Sequence, residues 1–115
     1  MLAIVNSMSE NQDRKIKIIL DALKEEFQPL HVFLFGSQAT NEATSQSDYD
    51  FVVVVKETAL SRIENMRKAR SLVRQVAKVS ADVFVYDEAE FNEYKNELSS
   101  IPETAVSLGQ ELSLG

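Results

Sequence analysis

Two short groups of residues in this chain have the types and spacing to handle a phosphorylated ligand. Gly36-Ser37 ends the apolar run Val32-Phe33-Leu34-Phe35, and after ten residues Asp48-Tyr49-Asp50 opens the run Phe51-Val52-Val53-Val54-Val55. Glycine lets the backbone turn tightly and approach a ligand, the serine adds a hydroxyl, and amides opening a following helix can receive phosphate oxygens. Successive strand side chains alternate between faces, so Asp48 and Asp50 point the same way, roughly 7 Å apart along the backbone. At that spacing two carboxylates can share one divalent cation or a close pair of cations. Gly-Ser alone is a common turn and Asp-x-Asp alone an ordinary solvated strand start. Their pairing at the mouths of two predicted strands is what points to chemistry.

A third acid has a similar setting. Asp82 begins Ala81-Asp82-Val83-Phe84-Val85-Tyr86, a run rich in β-branched and aromatic residues and bounded by polar segments, which predicts a strand. An aspartate there is tolerable beside solvent or a cation and costly if buried alone. Asp48, Asp50 and Asp82 are therefore the expected metal-binding and catalytic acids, with Gly36 and Ser37 as the phosphate-binding turn.

The stretch from Phe33 through Gly36-Ser37 and Asp48-Tyr49-Asp50 to Phe51 resembles the signature of the minimal nucleotidyltransferases, small members of the DNA polymerase β-like nucleotidyltransferase superfamily. The resemblance runs roughly from Phe33 to Tyr86. It implies that the Gly-Ser turn holds a nucleotide's triphosphate, that the aspartates bind Mg2+, and that a third carboxylate from a neighbouring strand completes the cluster. It also implies ATP as the nucleotide substrate, and an antitoxin role beside a helical HEPN ribonuclease toxin whose tyrosine would be adenylylated. This chain has Gln38 and Thr40 where family members commonly carry arginines, and Asn41 where they carry glycine. That departure leaves three readings open: weaker nucleotide binding, a supporting cation from elsewhere in the chain, or a fold kept without turnover.

Composition is compatible with this reading and excludes others. With 115 residues, 44% of them hydrophobic and 26% charged, the chain predicts a single soluble domain over 1–115. There is no cysteine, so disulfides, thiolate zinc sites and a cysteine nucleophile are excluded. No apolar stretch approaches membrane-spanning length, and residues 1–5 are too short and lack the basic flank of a secretory signal. A cytoplasmic location and no membrane partner are expected.

A net charge of −6 argues against direct nucleic-acid binding by the surface as a whole. Seven of the twelve basic residues nevertheless fall between Lys56 and Lys78. On a helix Arg67, Arg70, Arg74 and Lys78 form one stripe, read as a solvated face or as a docking surface for an acidic partner or a polyanion. His31 is alone before the first strand and reads as a cap or surface residue. Ser100 reads as a helix cap. Lys56 lies at the far end of the second strand and reaches a phosphate only if the chain bends back.

The elements that must position these residues follow from periodicity. Ile16, Ile19, Leu20, Leu23 and Phe27 predict a helix over 13–27, closed by Pro29. A short helix over 38–43 and a polar loop over 44–47 should link the first two strands. Leu60, Ile63, Met66, Ala69, Val73 and Val76 predict a long amphipathic helix ending near Val79. The stretch 87–98 predicts a helix with Phe91, Tyr94 and Leu98 on one face. Ser100 and Pro102 should start a last helix, Gly109 should stop it, and 111–114 is a candidate edge strand. The first dozen residues have weak patterning and are expected to be mobile.

The fold class expected is α/β (α+β), helices packed on a small mixed sheet. The polymerase β-like resemblance implies that the first two strands are neighbours and that the third extends the sheet. The function expected is Mg2+-dependent transfer of AMP from ATP to a protein hydroxyl, with the HEPN toxin as partner. The rival classes are a catalytically silent module that neutralises a partner by contact, and a small-molecule nucleotidyltransferase that completes its acceptor site as a homo-oligomer. A haloacid dehalogenase-type phosphatase is disfavoured because its acids follow the apolar strand, whereas here they precede it.

Overall fold

Apolar alternation draws the first strand, β1 (His31–Phe35), into the middle of the sheet, where Val32 and Leu34 are buried on one face and Phe33 on the other. The computed structural model describes residues 10–36 and 49–115, with side chains from residue 13 onward. Ahead of β1, helix α1 (Glu10–Phe27) buries Ile16, Ile19 and Leu23 at three- and four-residue spacing. Its end is a left-handed Gln28, φ 48°, whose N–H donates to the Lys24 carbonyl at 3.0 Å, and Pro29 follows. The helix starts three residues earlier than the periodicity predicts, so residues 10–12, expected to be mobile, are helical. The rest of that expectation, and the short helix and loop predicted over 38–47, lie outside the described residues.

Strand β2 (Tyr49–Val55) runs antiparallel to β1, with Phe35 opposite Asp50 and Leu34 opposite Phe51. Helix α2 (Arg62–Ala77) then returns the chain so that β3 (Ala81–Asp87) lies parallel to β2, as a parallel pair requires. Ser61 and Glu64 form a reciprocal capping box at the start of α2, and Lys78 closes it in a left-handed conformation, φ 59°. Helices α3 (Glu88–Tyr94) and α4 (Ile101–Leu108) follow, and β4 (Gln110–Leu112) pairs antiparallel with β1. The sheet order is β3-β2-β1-β4, with the first two strands adjacent and the third extending the sheet, as expected.

Each face of the sheet has its own core. Tyr49, Phe51, Val53 and Val55 of β2 pack with α1 and α2, while Val52 and Val54 pack with Phe33, Tyr86, Phe91 and Ala105 under α3 and α4. Phe33 and Phe91 stack with ring centroids 5.6 Å apart. No helix among the described residues is long and apolar enough to cross a membrane.

Two helical details differ from the periodic reading. The buried stripe of α2 is Asn65, Ala69, Val73 and Ala77, whereas Ile63, read as part of the apolar face, is 60% exposed. Asn65 can take the inward position because its Nδ2 donates to Thr58 Oγ1 at 3.1 Å and to the Leu60 carbonyl at 3.5 Å. Helix α3 stops at Tyr94 rather than continuing to residue 98. The chain turns there, with Glu97 N–H and the Ser100 hydroxyl both donating to the Tyr94 carbonyl, and Leu98 is left in solvent. The last helix starts and stops as predicted, with Ser100 as cap, Pro102 in the first turn and Gly109 at the end.

Candidate active site

Asp50 is the second residue of β2 and Asp82 the second residue of β3, and parallel pairing makes them register partners. Side chains at one register level of neighbouring strands leave the same face, so Asp50 and Asp82 project from one face at the same end of the sheet, with backbones about 4.8 Å apart. On that face the next aromatic residues, Phe35 of β1 and Phe84 of β3, lie tilted against each other with centroids 6.2 Å apart. Both are packed against the core under α3 and α4.

Gly36 follows β1 directly and has φ +76°. A Cβ built on it would come within 2.5 Å of Asp50 Oδ2. The position therefore favours glycine, both for the backbone conformation and for the carboxylate beside it. Asp50, Asp82 and Gly36 thus meet at one end of the sheet. Ser37 and Asp48, the other residues expected in the site, lie outside the described residues.

Asp82 is held from α2. Arg70 donates through Nη2 to Asp82 Oδ1 and through Nε to the Ala81 carbonyl at 3.4 Å. One turn further along the helix, Arg74 donates to Ser80 Oγ at 3.4 Å. The sequence reading placed Arg70 in a basic stripe and missed this contact. The signal was the short link over residues 78–80, which lays the last turns of α2 beside the start of β3. Arg70 also lines a shallow depression of about 200 Å³ with Ile63, Met66 and Arg67.

Remaining candidates resolve into structural roles. His31 Nδ1 lies 2.7 Å from Glu111 Oε2, tying β1 to β4. Lys56 is exposed just beyond the last residue of β2. Six residues of extended chain separate Asp50 from it, roughly 20 Å. Ser100 accepts from the Glu103 N–H at 3.1 Å as a cap.

Two neighbouring carboxylates offer hard oxygen donors of the kind magnesium, manganese and calcium accept, and their shared register brings both to one place. Among the described residues no three His, Cys, Asp or Glu side chains form a metal-holding group. Asp50 and Asp82 are of the chemical type that fits a divalent cation, and Asp48 lies outside the described residues.

Comparison with known proteins agrees with this geometry. A family model described as a nucleotidyltransferase domain matches residues 16–107. No curated protein matches the chain. Among solved structures, a Sulfolobus solfataricus protein described as a candidate nucleotidyltransferase is 26% identical, with a TM-score of 0.51 over 81% of this chain and 85% of that one. A chain of a toxin–antitoxin complex with AMP-PNP is 18% identical, with a TM-score of 0.60 over 90% of this chain and 73% of that one. A chain of the toxin–antitoxin complex MntA–HpeT, in a mutant form, is 16% identical, with a TM-score of 0.56 over 89% and 72%. The last two share the fold. Since the family match takes in Gly36, Asp50, Asp82 and the sheet that brings them together, the chain belongs to the nucleotidyltransferase domain family.

Proposed function

We propose that the protein transfers AMP from ATP to a hydroxyl of a partner protein, and that it serves as the antitoxin of a HEPN-type ribonuclease toxin in the cytoplasm. The observation that carries the reading is the register pairing of Asp50 with Asp82 beside the Gly36 turn. The antitoxin role is supported by the fold shared with chains of toxin–antitoxin complexes, one of them with AMP-PNP.

Asp48, Asp50 and Asp82 would hold Mg2+, while Gly36 and Ser37 would take the outer phosphates. Magnesium, when bound, supplies neutralising charge on the phosphates and lowers the pKa of an acceptor hydroxyl. The acceptor oxygen forms a bond to the α-phosphorus as the bond from that phosphorus to the bridging oxygen breaks, and pyrophosphate leaves. Asp82 would receive the hydroxyl proton.

A contact-only antitoxin is the second reading, favoured by the absence of any Lys or Arg between Lys24 and Lys56, the stretch that carries the turn and the first two acids. Incubation with Mg2+ and labelled nucleoside triphosphates, with and without the product of the adjacent reading frame, separates the two. Label on the toxin that disappears with Asp50→Asn supports transfer. Toxin inhibition that survives this substitution without label supports contact alone.

A further inference from the structure

We infer that Arg70 is the polyphosphate-binding cation of this site, parked on Asp82 until that carboxylate is taken up by a divalent cation. The inference rests on the nucleotidyltransferase reading above and adds to it a residue from outside the two strand mouths. A triphosphate brings several negative charges, and the acids that would hold its metal add more. The chain from 25 to 55, which contains the glycine turn and the Asp48–Asp50 mouth, carries no Lys or Arg to offset them. Positive charge must reach this end of the sheet from another element.

Helix α2 delivers it. Arg70 Nη2 donates to Asp82 Oδ1, and Asp82 is the register partner of Asp50, so the guanidinium already stands at the level of both acids. Its Nε is fixed on the Ala81 carbonyl at 3.4 Å, which anchors one edge of the fork. A planar guanidinium with several donors suits phosphate as well as carboxylate. The Arg70 side chain is 52% exposed and that of Asp82 34% exposed, so this ion pair lies in high dielectric and opens at small cost. A carboxylate that pairs with Arg70 in one state and with a metal in another exchanges one cation for another. The guanidinium released would then be free to pair with the phosphates that accompany the metal. Arg67, one turn back, lines the same depression as Arg70, which makes it the internal control.

Calorimetry on the full chain tests this with AMP-PNP at saturating Mg2+, and separately with Mn2+ in the absence of nucleotide. Arg70→Gln is expected to weaken AMP-PNP binding about tenfold. The same variant should bind Mn2+ alone more tightly than wild type, because the competitor for Asp82 is gone. Arg70→Lys, which keeps the charge, should recover most of the nucleotide affinity, and Arg67→Gln should behave as wild type. Thermal unfolding of each variant confirms that it is folded. If Arg70→Gln and Arg70→Lys both match wild type in AMP-PNP and Mn2+ binding, Arg70 is only a strap between α2 and β3 and the inference fails alone. If wild type itself binds no AMP-PNP with Mg2+, the nucleotidyltransferase reading fails and this inference with it.

Discussion

Asp50 Oδ2 occupies the space where a Cβ on Gly36 would stand, 2.5 Å from it, so the end of β1 and the start of β2 are fitted to each other through one missing methyl group. Gly36→Ala must both adopt a left-handed backbone, φ +76°, and displace the carboxylate. The expected cost is about 1–3 kcal/mol of folding stability, seen as a lower midpoint in urea unfolding. Loss of nucleotide binding should exceed what the lost stability explains, because Asp50 itself is moved.

Neutralising Asp82 should separate function from folding. Asp82→Asn removes one side of a partly exposed ion pair, which places its effect on stability within about 1 kcal/mol. Its effect on nucleotidyl transfer should be at least about a hundredfold, since a charge that holds the metal is lost. A variant that loses stability and activity in proportion would assign Asp82 a merely structural role.

Gly109→Ala is expected to be destabilising. A Cβ there would stand 2.5 Å from the Ala105 carbonyl and 2.7 Å from that of Leu34, so either α4 or β1 has to shift. Overpacking of this kind costs about 1–3 kcal/mol. Chemical denaturation checks the size.

Stability on the acid side should depend on the capping box of α2. Hydrogen bonds from Ser61 hold the Glu64 carboxyl below its ordinary value of 4.5. The folded state therefore favours the charged form. Its contribution is fully present above that ordinary value and is lost as pH falls through the lower folded value. Wild type should be more stable than Glu64→Gln near neutrality, and the gap should shrink as pH drops below 4.5. Thermal unfolding of both proteins across that range measures it.

The central strands and the last helix were legible in the sequence because their signals are local. Apolar runs mark β1, β2 and β3, and Ser100, Pro102 and Gly109 mark the boundaries of α4 through capping chemistry that needs no tertiary information. The convergence of Asp50 and Asp82 followed from the resemblance, since spacing does not fix strand order. The inward face of α2 was not legible: Ile63 and Asn65 compete for it, and a polar partner four residues outside the helix, Thr58, decides in favour of asparagine. The role of Arg70 was hidden for the same reason. Periodicity places it on a helix face but does not say that Asp82 lies opposite.

Manganese bound to the protein together with AMP-PNP, counted by paramagnetic resonance, tests the shared cation site most directly. Wild type should hold Mn2+, Asp50→Asn and Asp82→Asn should each lose it, and the double variant should be no worse than either single one. Wild-type Mn2+ retention in either single variant would contradict a site built across β2 and β3.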